Sequence, residues 1–230
     1  MAEVVFFDVG GTLIHDDPPV PEVFARVARR FGNDVTVRDA EPCMADVNAY
    51  YQSEYLRDGD FWCVHERAVQ IWLDMYTMMA DHCGIVNDVP ALARAVYDEY
   101  LKPENWSTFP DVEACLRGLK RRGFRLAVVS NWDATLENLF RGMSLLPYFD
   151  EIVSSAVVGC RKPGKAIFDI ALERMGACPS EVVHVGDLPE ADGDGATGAG
   201  IRPIIIDRKG SLDACPYECI PVLTDLVSML

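Results

Sequence analysis

Positive charge is scarce in this chain. Its 230 residues carry 21 Lys and Arg against 36 Asp and Glu, a formal net charge of −15. That balance argues against a broad basic surface for nucleic acid or for an anionic membrane. It leaves room for a small anionic ligand, because one lysine, a helix N-terminus or a metal ion binds phosphate inside an acidic protein. Long apolar runs are missing as well. No window of 18 or more residues is continuously apolar, so no membrane-spanning helix is expected. The start, MAEVVFFDVGG, lacks the basic segment of a signal peptide and reads as a first strand. The eight cysteines include no CxxC, and the pair Cys215 and Cys219 in CPYEC has no second Cys/His pair to complete a zinc site. Reduced thiols in a cytoplasmic protein are therefore the expectation. There is no internal repeat and no low-complexity tract.

What is present is half apolar and suits a core of one large domain or two modest ones. Five short apolar runs read as buried strands: 3–8, 124–130, 151–155, 182–187 and 202–207. None alternates strictly, as expected of strands covered on both faces. Helical patterns at 112–123, 134–145, 165–176 and 191–200 separate or flank the later four. The expected fold class is therefore α/β, a Rossmann-like doubly wound parallel sheet with helices on both faces. Between the first two runs, residues 18–105 carry no strong strand signal and read as helices at 21–32, 40–57, 63–83 and 90–101. This predicts an α/β core of residues 1–16 and 104–230 with an α-helical insert at 17–103. The stripe Trp62, Val69, Trp72, Leu73 and Tyr76 is expected to form the insert's own core.

In such sheets ligands bind at the carboxyl ends of the strands. Four of the five runs end in polar groups suited to catalysis. The first ends at Asp8, followed by Gly10, Gly11 and Thr12; the second ends at Ser130 and Asn131. After the third comes a loop with Lys162 before Pro163, and the fourth ends at Asp187 with Asp192 five residues on. Each alone has a bland reading. An Asp or Ser at a strand end is commonly a cap or turn former, and Lys162 alone is one more surface lysine. GDLPEADGDG alone resembles a calcium loop, but its twelfth position is Gly198 and not the required Glu. Together, in order, they make a chemical set. A carboxylate in a water-poor site attacks an electrophile when a cation orients it. Asp187 and Asp192 offer the oxygen ligands that Mg2+ prefers.

With FFDVGGTL, VVSNWD, the Lys162-Pro163 loop and HVGDLPEADGDGA in this order, the chain resembles the haloacid dehalogenase superfamily over essentially its whole length. The helical insert lies where that family carries its C1-type cap. The resemblance implies a hydrolase, a Mg2+-dependent phosphatase acting on a small phosphorylated metabolite. It implies Asp8 as the nucleophile that forms an aspartyl-phosphate, and Thr12 as support for its loop. It implies Ser130, with Asn131, Gly11 and Lys162, at the phosphate, Lys162 also pairing with the nucleophile. It implies Asp8, the Gly10 backbone carbonyl, Asp187 and Asp192 around the metal. The expected partner is the small-molecule substrate, with a homodimer as the self-association considered; neither nucleic acid nor membrane is expected.

One position departs from the family pattern. The phosphatases usually carry a second Asp two residues after the nucleophile to protonate the leaving alcohol; here that residue is Gly10. Asp133 and His15 are the nearby groups that stand as substitutes. Two alternatives follow. A 2-haloacid dehalogenase needs no such acid, yet that group lacks the Gly-Asp that begins the fourth motif here. A catalytically impaired module that binds a phosphorylated ligand or a protein also fits. The Schiff-base phosphonatases are disfavoured, because residues 16–101 contain no lysine.

Overall fold

The computed structural model describes residues 3–57, 59–212 and 214–230. Among the described residues eight strands occur: β1 (Val4–Phe7), β2 (Ile14–Asp16), β3 (Trp106–Thr108), β4 (Arg125–Ser130), β5 (Glu151–Ser154), β6 (Val182–Gly186), β7 (Arg202–Ile206) and β8 (Glu218–Ile220). Six form one sheet in the order β5-β4-β1-β6-β7-β8, and every neighbouring pair is parallel. Their runs of Val, Ile and Phe suit strands covered on both faces. β1 is buried along its whole length. Its register places Phe7 beside Val128 of β4 on one side and Val185 of β6 on the other. The strand order reverses at β1, since β4 and β5 lie to one side and β6, β7 and β8 to the other. A reversal of this kind opens a crevice at the strands' carboxyl ends.

One face of the sheet packs against the helix Lys165–Met175. Ile167, Phe168, Ala171, Leu172 and Met175 recur at helical spacing and bury with Val4, Phe6, Ala127, Val129 and Val153. The helix ends at Gly176, whose φ of +54° closes its last turn.

The chain divides into two compact units, residues 1–15 with 108–230 and residues 16–107. The second unit is helical: Val20–Arg30, Val37–Ala40, Met44–Arg57, His65–His82 and Val89–Tyr100. Trp62, Val69 and Tyr76 are buried in its apolar cluster, with Trp72 and Leu73 packed against it. The aromatic stripe therefore builds this unit's own core. A buried carboxylate, Glu99, is met there by Arg30 at 2.7 Å and Lys102 at 2.6 Å.

The five expected apolar runs appear as β1, β4, β5, β6 and β7. The three-residue strands β2, β3 and β8 are too short to carry a periodicity of their own. One helical expectation is corrected. Residues 191–200 do not form a continuous helix; a π-type turn, Pro189–Asp194, is followed by the short helix Gly195–Gly198. Four glycines in that stretch weaken a regular helix, and the widened turn carries Asp192 with its side chain buried. All eight cysteines carry free thiols. Among the described residues no helix is long and apolar enough to cross a membrane.

Candidate active site

Three adjacent strands deliver the site. β1 ends one residue before Asp8, β4 ends at Ser130, and β6 ends one residue before Asp187. Asp8 is held at the sheet edge by its own N–H, which donates to the Val185 carbonyl at 2.8 Å. Its carboxylate is almost wholly buried, and Lys162 Nζ meets Asp8 Oδ1 at 2.6 Å. Ser130 Oγ donates to the same oxygen at 3.0 Å. Thr12 Oγ1 reaches the other oxygen, Oδ2, at 3.5 Å.

Lys162 is buried too, and its ammonium lies 2.6 Å from Asp192 Oδ1 as well as from Asp8. A buried charge needs such partners, since an isolated one is costly to desolvate. Its backbone is fixed by Asn131: the Asn131 Nδ2 donates to the Lys162 carbonyl at 3.0 Å, and the Lys162 N–H donates to Asn131 Oδ1 at 2.8 Å. Both polar atoms of Asn131, expected at the phosphate, thus bond to the lysine's backbone.

Asp192 receives three donors. Besides Lys162, His184 Nε2 lies 2.9 Å from Oδ1, and the Leu188 N–H donates to Oδ2 at 3.0 Å. Asp187 differs. Its Oδ1 is buried and accepts no hydrogen bond. Oxygens of Asp8, Asp187 and Asp192 lie within 4.8 Å of one another. Two glycines make this crowding possible. A Cβ at Gly186 would fall 2.0 Å from Asp192 Cγ, and one at Gly11 would fall 2.4 Å from Asp187 Oδ2. Gly11 also holds φ at +76°, where side chains are strained. Gly10 is unlike both, for a Cβ there meets only the Trp132 indole, at 3.7 Å.

The electrostatics follow from burial. Burial raises the Asp8 carboxyl above its ordinary range, with Lys162 opposing the rise. Burial, and then the charges of Asp8 and Asp192, push Asp187 up to about 7. Burial also disfavours the Asp192 anion, but Lys162 and His184 outweigh it and hold that carboxyl low. The same two carboxylates, Asp192 and Asp8, overcome desolvation and raise Lys162. Burial dominates at His184 and lowers it, which favours the neutral ring. Three carboxylates therefore face one ammonium, and the excess of oxygen donors with an unpartnered Asp187 Oδ1 suits a hard divalent cation.

The nearby groups weighed as substitutes for an acid at position 10 each have a partner of their own. Asp133 Oδ1 accepts from the Thr135 N–H at 2.8 Å at the start of the helix Leu136–Gly142. The His15 ring packs on Phe109 with centroids 4.8 Å apart.

Comparison with known proteins assigns the chain to a family. A model described as haloacid dehalogenase-like hydrolase covers residues 2–200. The chain belongs to the haloacid dehalogenase-like hydrolases. A zebrafish relative, "Haloacid dehalogenase-like hydrolase domain-containing protein 3", is 31% identical over 241 residues, which cover 98% of this chain and 95% of the relative. The "Ribulose-1,5-bisphosphate 5-phosphatase" of Halopiger xanaduensis is 28% identical over 218 residues, covering 93% and 88% of the two chains. Among solved structures, the putative HAD-hydrolase YfnB of Bacillus subtilis aligns with a TM-score of 0.80 at 19% identity, over 100% of this chain and 98% of that one. This likeness is one of fold.

Within this member of the hydrolase family, sequence reasoning missed two residues beside the site. Arg208, just past β7, donates through Nη2 to the Thr12 carbonyl at 2.7 Å and through Nε to the Gly11 carbonyl at 3.3 Å. Its Nη1 meets both Asp111 oxygens, at 3.1 and 3.0 Å, and its guanidinium lies 3.8 Å from the Phe109 ring centroid. A clamp on two carbonyls has no local sequence signature. His184 did carry a signal, as the lone ring nitrogen bearer inside the apolar run VVHVG of β6.

Proposed function

We propose that this hydrolase is a Mg2+-dependent phosphatase acting on a small phosphorylated molecule through an aspartyl-phosphate on Asp8. The observation that carries the reading is the grouping of Asp8, Asp187 and Asp192 around one ammonium, with Asp187 Oδ1 buried and unpartnered. Asp8, Asp187 and the Gly10 carbonyl would hold the cation, while Asp192 is committed to Lys162, His184 and the Leu188 N–H. When bound, the cation supplies charge neutralisation to the phosphoryl oxygens.

The chain's own groups do the rest. Lys162 and Ser130 fix Asp8 Oδ1 and so orient the carboxylate for attack on phosphorus. The same ammonium and hydroxyl stabilise charge on the transferred group. The P–O bond to the leaving group breaks as the Asp8–phosphorus bond forms. Water then attacks phosphorus, frees phosphate and regenerates the Asp8 carboxylate. Because residue 10 is glycine, no carboxyl there protonates the leaving oxygen. Such help is worth about 100- to 10,000-fold, so alkyl phosphates are slow substrates.

The helical unit, residues 16–107, serves as a C1-type cap that selects the substrate, with polar and aromatic residues near 15–24 and in DGDFWCVHER as its candidates. The free thiols suit a reducing cytoplasm. Haloacid displacement is disfavoured by the carboxylate excess, which repels an anionic haloacid unless a cation is bound. The test is turnover of p-nitrophenyl phosphate and acetyl phosphate with Mg2+, beside Asp8→Asn. Activity that needs Mg2+ and disappears in Asp8→Asn supports the phosphatase. A folded protein that binds Mg2+ yet turns over neither substrate is instead a binding module.

A further inference from the structure

We infer that the phosphate ester best served by this site carries a planar aromatic leaving group, seated against Trp132 and expelled without a proton from a side chain. The inference rests on the phosphatase reading and concerns the side of the site away from the sheet. β1 and β4 are parallel neighbours, and their chains leave the sheet edge together. Asp8 and Ser130 come first and touch each other at 3.0 Å. Two residues on along each chain stand Gly10 and Trp132, and the Trp132 indole is what a Cβ at Gly10 would meet, at 3.7 Å. Where a proton-donating side chain would rise from the nucleophile loop, a Cβ is tolerated in ordinary contact with a half-buried aromatic ring.

The Trp132 backbone is firmly placed. Its backbone N–H donates to Ser155 Oγ at 3.1 Å, and its backbone carbonyl accepts from Ser154 Oγ at 2.7 Å and from the Ala156 N–H at 3.1 Å. The groups that touch Asp8 are poor acids. Lys162 is held as an ammonium between two carboxylates, and Ser130 and Thr12 are hydroxyls.

In-line attack sends the leaving oxygen away from Asp8, and the proposed seat for it is beside Gly10 and Trp132. The new bond joins an Asp8 oxygen to phosphorus. The bond that breaks takes its electron pair to the leaving oxygen, which departs as an anion and collects its proton from solvent. An alkoxide leaves badly on those terms, since its conjugate acid resembles water at about 15.7. A phenoxide, whose acid resembles tyrosine at about 10, leaves readily. An aryl group also stacks on an indole, whereas an alkyl group gains less.

The experiment is a leaving-group series. Phosphates of phenols of graded acidity are assayed with Mg2+ beside glycerol phosphate and acetyl phosphate, in the wild type, Gly10→Asp, Trp132→Ala, Trp132→Phe and Asp8→Asn. In the wild type, kcat/KM rises steeply with phenol acidity, and glycerol phosphate falls at least about 100-fold below phenyl phosphate. Gly10→Asp flattens that slope and raises glycerol phosphate turnover. Trp132→Ala raises KM for aryl phosphates about 2- to 13-fold more than for acetyl phosphate, and Trp132→Phe restores most of the difference. A flat slope in the wild type, or equal changes for aryl and acetyl substrates in Trp132→Ala, overturns the proposal. Turnover that survives in Asp8→Asn overturns the phosphatase reading itself.

Discussion

Replacing Gly11 by alanine places a methyl carbon 2.4 Å from Asp187 Oδ2 and 2.8 Å from its Cγ. Ordinary contacts begin about 1 Å further out, so Asp187 has to move. The residue also keeps φ at +76°, which costs an L side chain about 1–2 kcal/mol. Forcing a methyl into packed surroundings adds about 1–3 kcal/mol. The overlap between these two costs leaves a loss of about 2–4 kcal/mol. For a chain of this size that lowers Tm by about 4–16 °C. The neighbouring substitution is the internal control. Alanine at Gly10 meets only the Trp132 ring at 3.7 Å and lies outside the left-handed region, so it changes stability by less than about 1 kcal/mol. The assay is thermal unfolding of wild type, Gly11→Ala and Gly10→Ala, each with and without Mg2+. Gly11→Ala loses both stability and the Tm gain on adding Mg2+, because the displaced carboxylate no longer faces Asp8. Gly10→Ala keeps both. If the two variants behave alike, or if Gly11→Ala keeps a full Mg2+ response, Gly11 is not what makes room for Asp187.

Three further outcomes follow from the same geometry. Lys162→Met strands the buried Asp8 and Asp192 and lowers stability by about 3–5 kcal/mol at neutral pH, part of which returns on acidification as the carboxyls bind protons; a loss under about 1 kcal/mol in urea unfolding refutes the ion pairs. Asp187, pushed up to about 7 by burial first and then by its acidic neighbours, holds a proton in the folded state that the unfolded chain loses near the ordinary carboxyl value of 3.8. Metal-free stability therefore falls with slope up to about 1.4 kcal/mol per pH unit across that window and flattens above it, while the Tm gain from Mg2+ grows up to about pH 7 because the ligand must be ionised; Asp187→Asn showing the same pH profile would sink the assignment. Arg208→Met removes the clamp on the Gly11 and Thr12 carbonyls and costs about 1.5–3 kcal/mol, with Arg208→Lys recovering only part because an ammonium lacks the planar fork; full recovery by lysine, measured by urea unfolding, counts against it.

The sheet was legible because its strands are short apolar runs rich in Val and Ile, bounded by polar residues, and Asp8, Ser130 and Asp187 were legible because chemistry gathers where such strands end. Lys162 is different. It lies in a loop beyond β5, and only the ordered set of motifs singled it out. What stayed hidden was tertiary. Asn131 reads as a polar residue at a strand end, yet its amide meets the backbone of Lys162, remote in sequence. Arg208 reads as one charge after a strand, and its bonds reach loops near residues 11 and 111. Residues 191–200 looked helical because their spacing is helical, while the turn Pro189–Asp194 is widened and its Asp192 packs against Gly186.

The division of the chain has a consequence for its birth on the ribosome. The apolar cluster of the helical unit is drawn from residues between Val20 and Tyr100, so every member has been synthesised before β4 exists. β1 emerges earlier still but must wait, unpaired, for β4 and then β6 to arrive on either side. Asp8 waits longest, since Lys162 and then Asp192 are made far downstream. A ribosome paused after β4 thus holds a helical unit with all its core residues beside a nucleophile strand with one neighbour and no counter-charge. Nascent chains arrested at successive lengths should gain protease resistance in the helical segment first and in β1 only once β6 has emerged.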